Sequence, residues 1–207
     1  LWKGKRNMIN KGAKITVSSV FAIMLAGIAS AGGHLKEINF SLDWAWQGMH
    51  GPFLLAKDRG YYEEAGLSVS FDRGFGSGDT ISKIAAKAYP MGFAEGTSLL
   101  KFNAENPDDQ VITVLVINDQ SPTGVISTKT NGITKPSDLM GKKVSATQSA
   151  ATVLLWPVFA ALNNLDPNGI EYLFVEPSLR DSMVVQGQAD ATFGFSSTTV
   201  LNMVQAG

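Results

Sequence analysis

The sequence predicts an α/β protein of two lobes, each a mostly parallel sheet flanked by helices. Short runs with alternating apolar residues, typical of strands, take turns with segments whose apolar residues recur at helical spacing. Such an alternation gives a mostly parallel sheet with helices on its faces. A further observation is a weak internal repeat, in which two helix–strand–helix stretches of the chain resemble each other. The strand-like runs ending at Ala94 and Ser196 share a Gly-Phe pair and precede helical segments, although any two βα units look alike to this extent.

The first half of the chain contains four strand-like runs and three helical segments. The strands are expected at 37–43, 67–71, 90–94 and 111–117, and the helices at 51–64, 79–88 and 97–104. Ile38, Phe40 and Leu42 alternate in the first strand, and the helix at 51–64 has breakers near its end. The run at 111–117 is almost continuously apolar, which is typical of a strand buried on both faces.

The second half of the chain repeats the alternation. Strands are expected at 124–128, 142–146, 172–175 and 191–195, and helices at 152–163, 178–186 and 197–205, with a turn entering a short helix at 134–139. Pro157 lies inside the helix predicted at 152–163. Proline lacks the amide hydrogen that a helix interior needs, so we expect a kink or a restart there.

Residues 8–31 have the pattern of a secretory signal peptide. Lys11 and Lys14 precede a short apolar run at 15–28, and Ala29-Ser30-Ala31 matches a cleavage site. A retained membrane anchor is the alternative, although the apolar run is short for a span of about 20 residues. We expect a periplasmic protein. The predicted organisation is 1–31 signal peptide with upstream residues, 35–122 first lobe, 123–135 crossover and hinge, and 136–207 second lobe, incomplete.

Charge and cysteine content exclude several function classes. Without residues 1–31, the chain keeps 12 basic and 18 acidic residues, a net charge of −6. Nucleic acid is therefore not an expected partner, because phosphate neutralisation needs a basic surface. The sequence has no cysteine, so it offers no disulfide, thiolate metal site or cysteine nucleophile. We expect no metal and no cofactor.

Polar and aromatic residues gather where the predicted strands end, which is where an α/β protein places its ligand. The candidate ligand-binding residues are Trp44, Trp46, Gln47, His50, Ser77, Gly78, Asp79, Glu95, Thr97, Thr147, Ser149, Thr152 and Ser197. Indole rings can stack on a flat ring or a cation, and helix N-termini suit anionic groups. The Glu95 carboxylate would favour a donor-rich ligand such as an aminopyrimidine. The alternatives are core packing for a tryptophan, a structural partner for His50, and helix capping for the Ser, Thr and Asp residues.

An ordered set of motifs resembles the NMT1/THI5-like and SsuA-like substrate-binding proteins of ABC importers. The set comprises Leu42-Asp43-Trp44, His50, 59–67 (Arg-Gly-Tyr-Tyr-Glu-Glu-Ala-Gly-Leu), 76–79 (Gly-Ser-Gly-Asp), 137–144 (Ser-Asp-Leu-Met-Gly-Lys-Lys-Val) and 189–194 (Ala-Asp-Ala-Thr-Phe-Gly). The resemblance covers about residues 37–207 and implies a type II periplasmic binding protein, with two lobes that close on a ligand by hinge motion. Members of this family are usually considerably longer. We therefore expect that this sequence contains the first lobe and only part of the second lobe.

The resemblance implies a monomeric binding protein that captures a small organic solute and delivers it to an ABC permease. A thiamine-precursor pyrimidine is favoured, and a sulfonate, taurine or nitrate is the alternative. Related synthases of that pyrimidine use pyridoxal phosphate, with a lysine and a histidine where this chain has Ala94 and Ser98. Without the amine there is no Schiff base, so we expect no enzyme. A ligand-sensing domain is a third possibility.

Overall fold

Two β-sheets, each flanked by helices, organise the chain. A computed structural model describes residues 34–206, so the predicted signal peptide lies outside the described residues. Both sheets belong to one compact unit that starts at Lys36. The predicted α/β fold class is confirmed, whereas the predicted lobe boundaries stay a prediction. In the described part of the chain, no helix is both long and apolar enough to cross a membrane.

The first sheet is wholly parallel and has the strand order β2-β1-β3. Its elements are β1 (Lys36–Ser41), α1 (Gly51–Asp58), α2 (Tyr61–Glu64), β2 (Leu67–Asp72), α3 (Ser77–Ala85), β3 (Met91–Gly92) and α4 (Gly96–Glu105). The helix predicted at 51–64 is divided into α1 and α2 by Gly60, whose φ of 74° is left-handed. Glycine reaches this conformation at little steric cost.

The second sheet has the strand order β4-β7-β5-β6 and is parallel except for β4, which runs antiparallel to β7. Its elements are β4 (Thr123–Ile126), β5 (Lys143–Ala146), α5 (Ala151–Leu162), β6 (Glu171–Phe174), α6 (Pro177–Val185), β7 (Ala191–Phe195) and α7 (Ser196–Ala206). β4 falls within the range predicted as crossover and hinge, and it is part of this sheet. Short 3-10 turns at Lys129–Asn131 and Pro136–Leu139 lead from β4 to β5.

Aromatic rings hold the helices against the first sheet. The Phe53 ring of α1 lies 5.5 Å from Phe40 on β1, 6.2 Å from Phe71 on β2 and 5.4 Å from Phe93 after β3. Rings at these distances in tilted arrangements attract each other beyond the burial of their area. The cluster fixes α1 across all three strands, and so fixes the loop that connects β1 to α1.

The core of the second lobe is built around Trp156 of α5. Its ring is 3% exposed and lies 5.6 Å from the Phe193 ring on β7, and its indole nitrogen donates to the Pro167 carbonyl oxygen at 2.7 Å. α5 continues through Pro157 as one helix, so the predicted restart does not occur. Burial of Trp156 and Ala160 on either side of the proline stabilises the helical path there.

The prediction of a buried strand at 111–117 is wrong. The segment forms no strand, and Ile112 and Val114 are 79% and 75% exposed. Two causes are visible. The side-chain amide of Asn103 accepts from the Val111 amide and donates to its carbonyl, at 3.0 and 2.8 Å, which occupies the groups that a strand would pair. The neighbouring β3 is only two residues long, and among residues 34–206 no strand pairs with the segment.

Candidate functional site

A small cavity of about 30 Å³ lies between residues from the ends of the two sheets. In this arrangement of the two lobes it has room for about one water molecule. Both polar and apolar side chains line it, from the β1–α1 loop and α3 on one side and from α5, α6 and the β7–α7 junction on the other. The lining residues are Asp43, Trp44, Gln47, Ser77, Ala150, Ala151, Thr152, Arg180, Gly194, Phe195 and Thr198.

Trp44 and Arg180 meet across this cavity. The guanidinium carbon of Arg180 lies 4.8 Å from the centre of the Trp44 ring, a cation–π arrangement. Trp44 follows the first sheet and is half-buried, whereas Arg180 belongs to α6 beside the second sheet. The contact therefore links the two lobes at the cavity wall.

Arg180 is held in place by its own lobe. The side chain is only 5% exposed, its Nε donates to Asp181 Oδ1 at 2.8 Å, and its Nη2 donates to Thr199 Oγ1 at 2.9 Å. Asp181 in turn accepts from the Asn202 side-chain amide at 2.8 Å. A Cβ at Gly194 would lie 3.0 Å from Arg180 Nη2 and 2.1 Å from Thr199 Oγ1, so only glycine leaves room for this pair.

Asp43 and His50 form a buried pair behind the Trp44 loop. His50 is fully buried, Asp43 is 5% exposed, and His50 Nε2 lies 3.0 Å from Asp43 Oδ1. The His50 Nδ1 atom is buried without a partner among the described residues. His50 itself does not line the cavity, so its contact to ligand would run through Asp43.

The start of α3 touches the other lobe directly. The Gly78 amide donates to the Ser149 carbonyl oxygen at 3.1 Å, and the Ser149 hydroxyl donates to the Phe75 carbonyl oxygen. The Ser149 carbonyl oxygen therefore accepts from one of the amides that the N-terminus of α3 leaves unpaired. The sequence analysis predicts an anionic group of a ligand at this helix N-terminus.

Four of the predicted site residues line the cavity: Trp44, Gln47, Ser77 and Thr152. The others lie outside its lining. Gly78 and Ser149 contact each other, Asp79 pairs with Lys83 at 2.7 Å, Thr147 donates to the Val175 carbonyl, and Trp46 and Ser197 are exposed.

Glu95 and Thr97 form a helix cap. The Glu95 carboxylate accepts from the Thr97 amide at 2.8 Å and from the Thr97 hydroxyl at 3.1 Å at the start of α4. The sequence analysis gives capping as an alternative for Ser, Thr and Asp at such turns but not for Glu95, and the structure shows that Glu95 is the cap. Because both carboxylate oxygens of Glu95 accept from Thr97, Glu95 no longer supports the prediction of an amine-bearing ligand.

The sequence analysis did not select several lining residues, among them the two charged ones, Asp43 and Arg180. Asp43 belongs to the quoted Leu-Asp-Trp motif, and Gly194 and Phe195 belong to the internal repeat, but none of the three was selected as a site residue. Arg180 gave a weaker signal. It is a lone cation in a helical segment whose buried positions also include Asp181 and Val184, and a cation at such a position needs a buried partner.

Comparison with models of protein families identifies the family of this chain. The model of the family described as "NMT1/THI5 like" matches residues 47–207. The chain belongs to this family. The resemblance drawn from its motifs is thereby confirmed.

Relatives that are named as enzymes correct the expectation that the chain is not an enzyme. A protein from Aspergillus parasiticus named 4-amino-5-hydroxymethyl-2-methylpyrimidine phosphate synthase is 31% identical over 109 residues, which is 52% of this chain and 31% of the relative. A relative of the same name from Schizosaccharomyces pombe is 29% identical over 109 residues, which is 53% of this chain and 31% of the length of that relative. The expectation that the chain is not an enzyme is therefore contradicted, because these relatives are named as synthases. The chain spans about a third of the length of these relatives.

Solved structures share the fold. A protein from Bordetella bronchiseptica superposes with a TM-score of 0.66 at 18% identity, over 82% of this chain and 54% of that one. The alkanesulfonate-binding protein SsuA from Xanthomonas axonopodis pv. citri superposes with a TM-score of 0.63 at 15% identity, over 77% and 54%. These likenesses establish the type II periplasmic-binding-protein fold of the NMT1/THI5-like chain, which spans about half the length of either structure.

Proposed function

We propose that this NMT1/THI5-like protein is the solute-binding component of an ABC importer. It captures a small organic solute outside the inner membrane by closing two lobes around it, and it delivers the solute to a permease. The observation that carries the proposal is the small cavity whose walls come from both lobes, with Trp44 and Arg180 facing each other. A ligand there contacts both lobes at once, so its binding free energy favours the closed arrangement.

The chemistry of the cavity supports a small, partly planar and partly polar ligand. Trp44 and Phe195 offer aromatic surface, whereas Ser77, Thr152 and Thr198 offer hydroxyl groups. An aminopyrimidine and an organic sulfonate both meet this description. The alkanesulfonate-binding protein among the structural neighbours supports the second class, and the synthases named for a pyrimidine support the first. Export, a monomeric state and the permease partner belong to the same proposal.

A thermal-shift screen of the full chain, without residues 1–31, tests binding. The panel contains aminopyrimidines, thiamine, taurine, alkanesulfonates and nitrate. A ligand at about 100 times its Kd stabilises the folded state by about 2.7 kcal/mol, which raises the Tm by several degrees. We expect a shift with one class. If no member of the panel changes the Tm or gives heat in calorimetry, the solute-binding function is wrong.

A synthase-related activity is the second candidate, and the identity of 31% over 109 residues to a named pyrimidine phosphate synthase favours it. Pyridoxal phosphate held as a Schiff base does not fit the described residues. Ala94 stands where the resemblance expects the lysine, and no lysine lines the cavity. The Ser98 hydroxyl, where the resemblance expects a histidine, is buried without a partner among the described residues.

The second candidate has a direct test. The full gene product is expressed in a bacterial strain that cannot make the aminopyrimidine, in medium without it. Growth, with the pyrimidine phosphate detected by mass spectrometry, would establish synthase activity. Growth only when the free pyrimidine is supplied at low concentration would instead support uptake.

A further inference from the structure

We propose that the Trp44 side chain is a gate of the cavity, held shut by its stacking on Arg180 and swung aside when a solute enters. This inference rests on the proposed solute-binding function and adds the route by which the solute gains access. In the arrangement described, the cavity has room for about one water molecule. A small organic solute therefore fits only after part of the lining has moved.

Arg180 is the fixed side of the stack. Its side chain is buried, its Nε donates to Asp181 and its Nη2 donates to Thr199. Asn202 holds Asp181 from α7. Moving the guanidinium would break these hydrogen bonds at a buried position, where bonds to charged groups are costly to lose. Arg180 is therefore not the residue that makes room for a solute.

Two further polar groups of the lining are also held in place. The hydroxyl of the buried Ser77 accepts from the Glu95 amide at 3.0 Å. Asp43 Oδ1 lies 3.0 Å from Nε2 of the fully buried His50. Movement of either side chain would leave a partner without its hydrogen bond, so neither is free to make room.

Trp44 is fixed through its backbone and not through its ring. Its carbonyl oxygen accepts from the Gly74 amide at 2.9 Å, and a Cβ at Gly74 would lie 2.7 Å from the Trp44 nitrogen, so the two backbones pack closely. The indole nitrogen has no hydrogen-bond partner among residues 34–206, whereas that of Trp156 donates to Pro167. The half-buried Trp44 ring can therefore rotate about its side-chain bonds while the β1–α1 loop stays in place.

The stack on Arg180 is the contact that holds the ring over the cavity. Within the described part of the chain, Arg180 is the only charged or aromatic group that stacks on Trp44. A cation–π contact favours one arrangement over another by roughly 2- to 30-fold, depending on how far it is desolvated. That preference keeps the gate shut in most molecules and leaves it open in a minor fraction.

An open gate changes the cavity in two ways. The volume of an indole ring joins the small space, and the face of Arg180 that Trp44 covers becomes accessible to the solute. The hydrogen bond between Gly78 and Ser149 belongs to other elements and stays formed. The solute thus enters without separation of the lobes, and its association rate is scaled by the fraction of molecules with an open gate.

Fluorine NMR of the chain without residues 1–31, labelled with 5-fluorotryptophan, tests the gate without any solute. Three rings remain and differ in burial: Trp156 is 3% exposed, Trp46 is 52% exposed, and Trp44 lies between them. Trp44→Phe and Trp46→Phe assign the signals. We expect relaxation dispersion at Trp44, because lid opening takes microseconds or longer, and none at Trp156.

The part played by Arg180 is tested with Arg180→Gln and with Arg180→Gln/Asp181→Asn, in which no buried carboxylate is left without its partner. Both should raise the ratio of open to shut Trp44 at least about twofold, because the guanidinium face is lost. Arg59→Gln, at an exposed arginine outside the lining, is the control and should leave the ratio unchanged. Circular dichroism and the Tm establish that each variant is folded.

Surface plasmon resonance with 4-amino-5-hydroxymethyl-2-methylpyrimidine and butanesulfonate as probes measures access. Trp44→Ala, or Trp44→Leu if the alanine variant is unfolded, should speed both association and dissociation at least about fivefold, because no gate limits access. A ring that only forms a wall for bound solute would change dissociation alone. Trp46→Ala, two residues along the same loop and outside the lining, is the matched control and should change neither rate more than about twofold.

Two results would overturn the inference. A Trp44 signal without dispersion that is unchanged in Arg180→Gln/Asp181→Asn would show a static ring. An unchanged association rate in folded Trp44→Ala would show that the lobes separate to admit the solute. In both cases, solute binding by the wild type would leave the proposed function in place. If Trp44 exchanges but no member of the thermal-shift panel binds the folded wild type, the proposed function is wrong, and the fluorine signals alone confirm the swing of the ring.

Discussion

The backbone amide of Gly78 donates a hydrogen bond to the backbone carbonyl oxygen of Ser149 at 3.1 Å, which joins the first turn of α3 to the loop before α5. Amides in the first turn of a helix have no partner inside the helix, so this donor is satisfied by the opposite lobe. Nearby, Gly76 also packs against Ser149. The structure therefore describes a closed arrangement of the two lobes at this point.

Gly76→Ala is expected to disfavour this closed arrangement. The new Cβ would lie 2.5 Å from the Ser149 hydroxyl and 2.6 Å from its carbonyl carbon, which real contacts do not permit. Small-angle scattering should give a larger radius of gyration, and the affinity for any solute found in the screen should fall by about tenfold or more.

The control for Gly76→Ala is Gly132→Ala. Both glycines have positive φ, 126° and 67°, so both substitutions introduce backbone strain, but a Cβ at Gly132 has no atom within 4 Å. The control should lower the Tm without changing scattering or affinity. Equal loss of affinity in the two variants would attribute the effect to strain and not to lobe closure.

Removal of His50 should destabilise the protein strongly. His50→Ala leaves a cavity at a fully buried position and takes the partner from Asp43, which is 5% exposed. Leaving a buried hydrogen-bonding group without its partner costs about 1–3 kcal/mol, and the cavity adds to this cost. Urea unfolding of His50→Ala, Asp43→Asn and the double variant measures it. The double variant should be less destabilised than the sum of the single variants by about 0.5–3 kcal/mol, and simple additivity would show that the pair is not coupled.

Local sequence patterns predicted most elements, because strand and helix periodicity is a local property. β7 was predicted at its observed bounds, Ala191–Phe195, and α4 within one residue at each end. Contacts between distant residues account for the errors. The apolar run 111–117 is not a strand because Asn103 holds Val111 and no described strand lies alongside it.

The same contrast between local patterns and contacts of distant residues explains which site residues could be predicted. Trp44, Gln47, Ser77 and Thr152 were predictable because residues that follow strands or begin helices face the cleft of an α/β fold. Arg180 was not predictable in this way. Its place in the cavity depends on the missing side chain at Gly194 and on the hydrogen bond to Thr199, both on elements that follow it in the chain.

Asp138 should make stability depend on acidic pH. Its carboxylate accepts from the Thr134 amide at 2.9 Å, the Thr134 hydroxyl at 3.0 Å and the Lys135 amide at 3.1 Å, and these bonds lower the pKa of Asp138 below its ordinary 3.8. A lowered folded pKa contributes stability that is present above pH 3.8 and is lost as the pH falls through the folded value.

The test compares urea midpoints of the wild type and Asp138→Asn at pH 7 and at pH 2.5. The variant should be less stable at pH 7, and the difference should shrink at the lower pH. Asp58→Asn, at an exposed aspartate near the end of α1, is the control and should show no such narrowing. A difference that stays constant between the two pH values would mean that the carboxylate charge is not the cause.

Glu95 separates a capping role from a ligand-binding role. Its carboxylate accepts from both the amide and the hydroxyl of Thr97, and it does not line the cavity. Glu95→Ala should therefore lower the free energy of unfolding by about 0.5–2 kcal/mol through loss of the α4 cap. Affinity for any solute found in the thermal-shift screen should stay within about twofold of the wild type, because no cavity group changes. Thr152→Ala, at the cavity wall, should show the reverse pattern, a clear loss of affinity with a smaller loss of stability. A tenfold loss of affinity for an amine-bearing probe in Glu95→Ala, with stability unchanged, would return Glu95 to the ligand site and restore the argument for an aminopyrimidine.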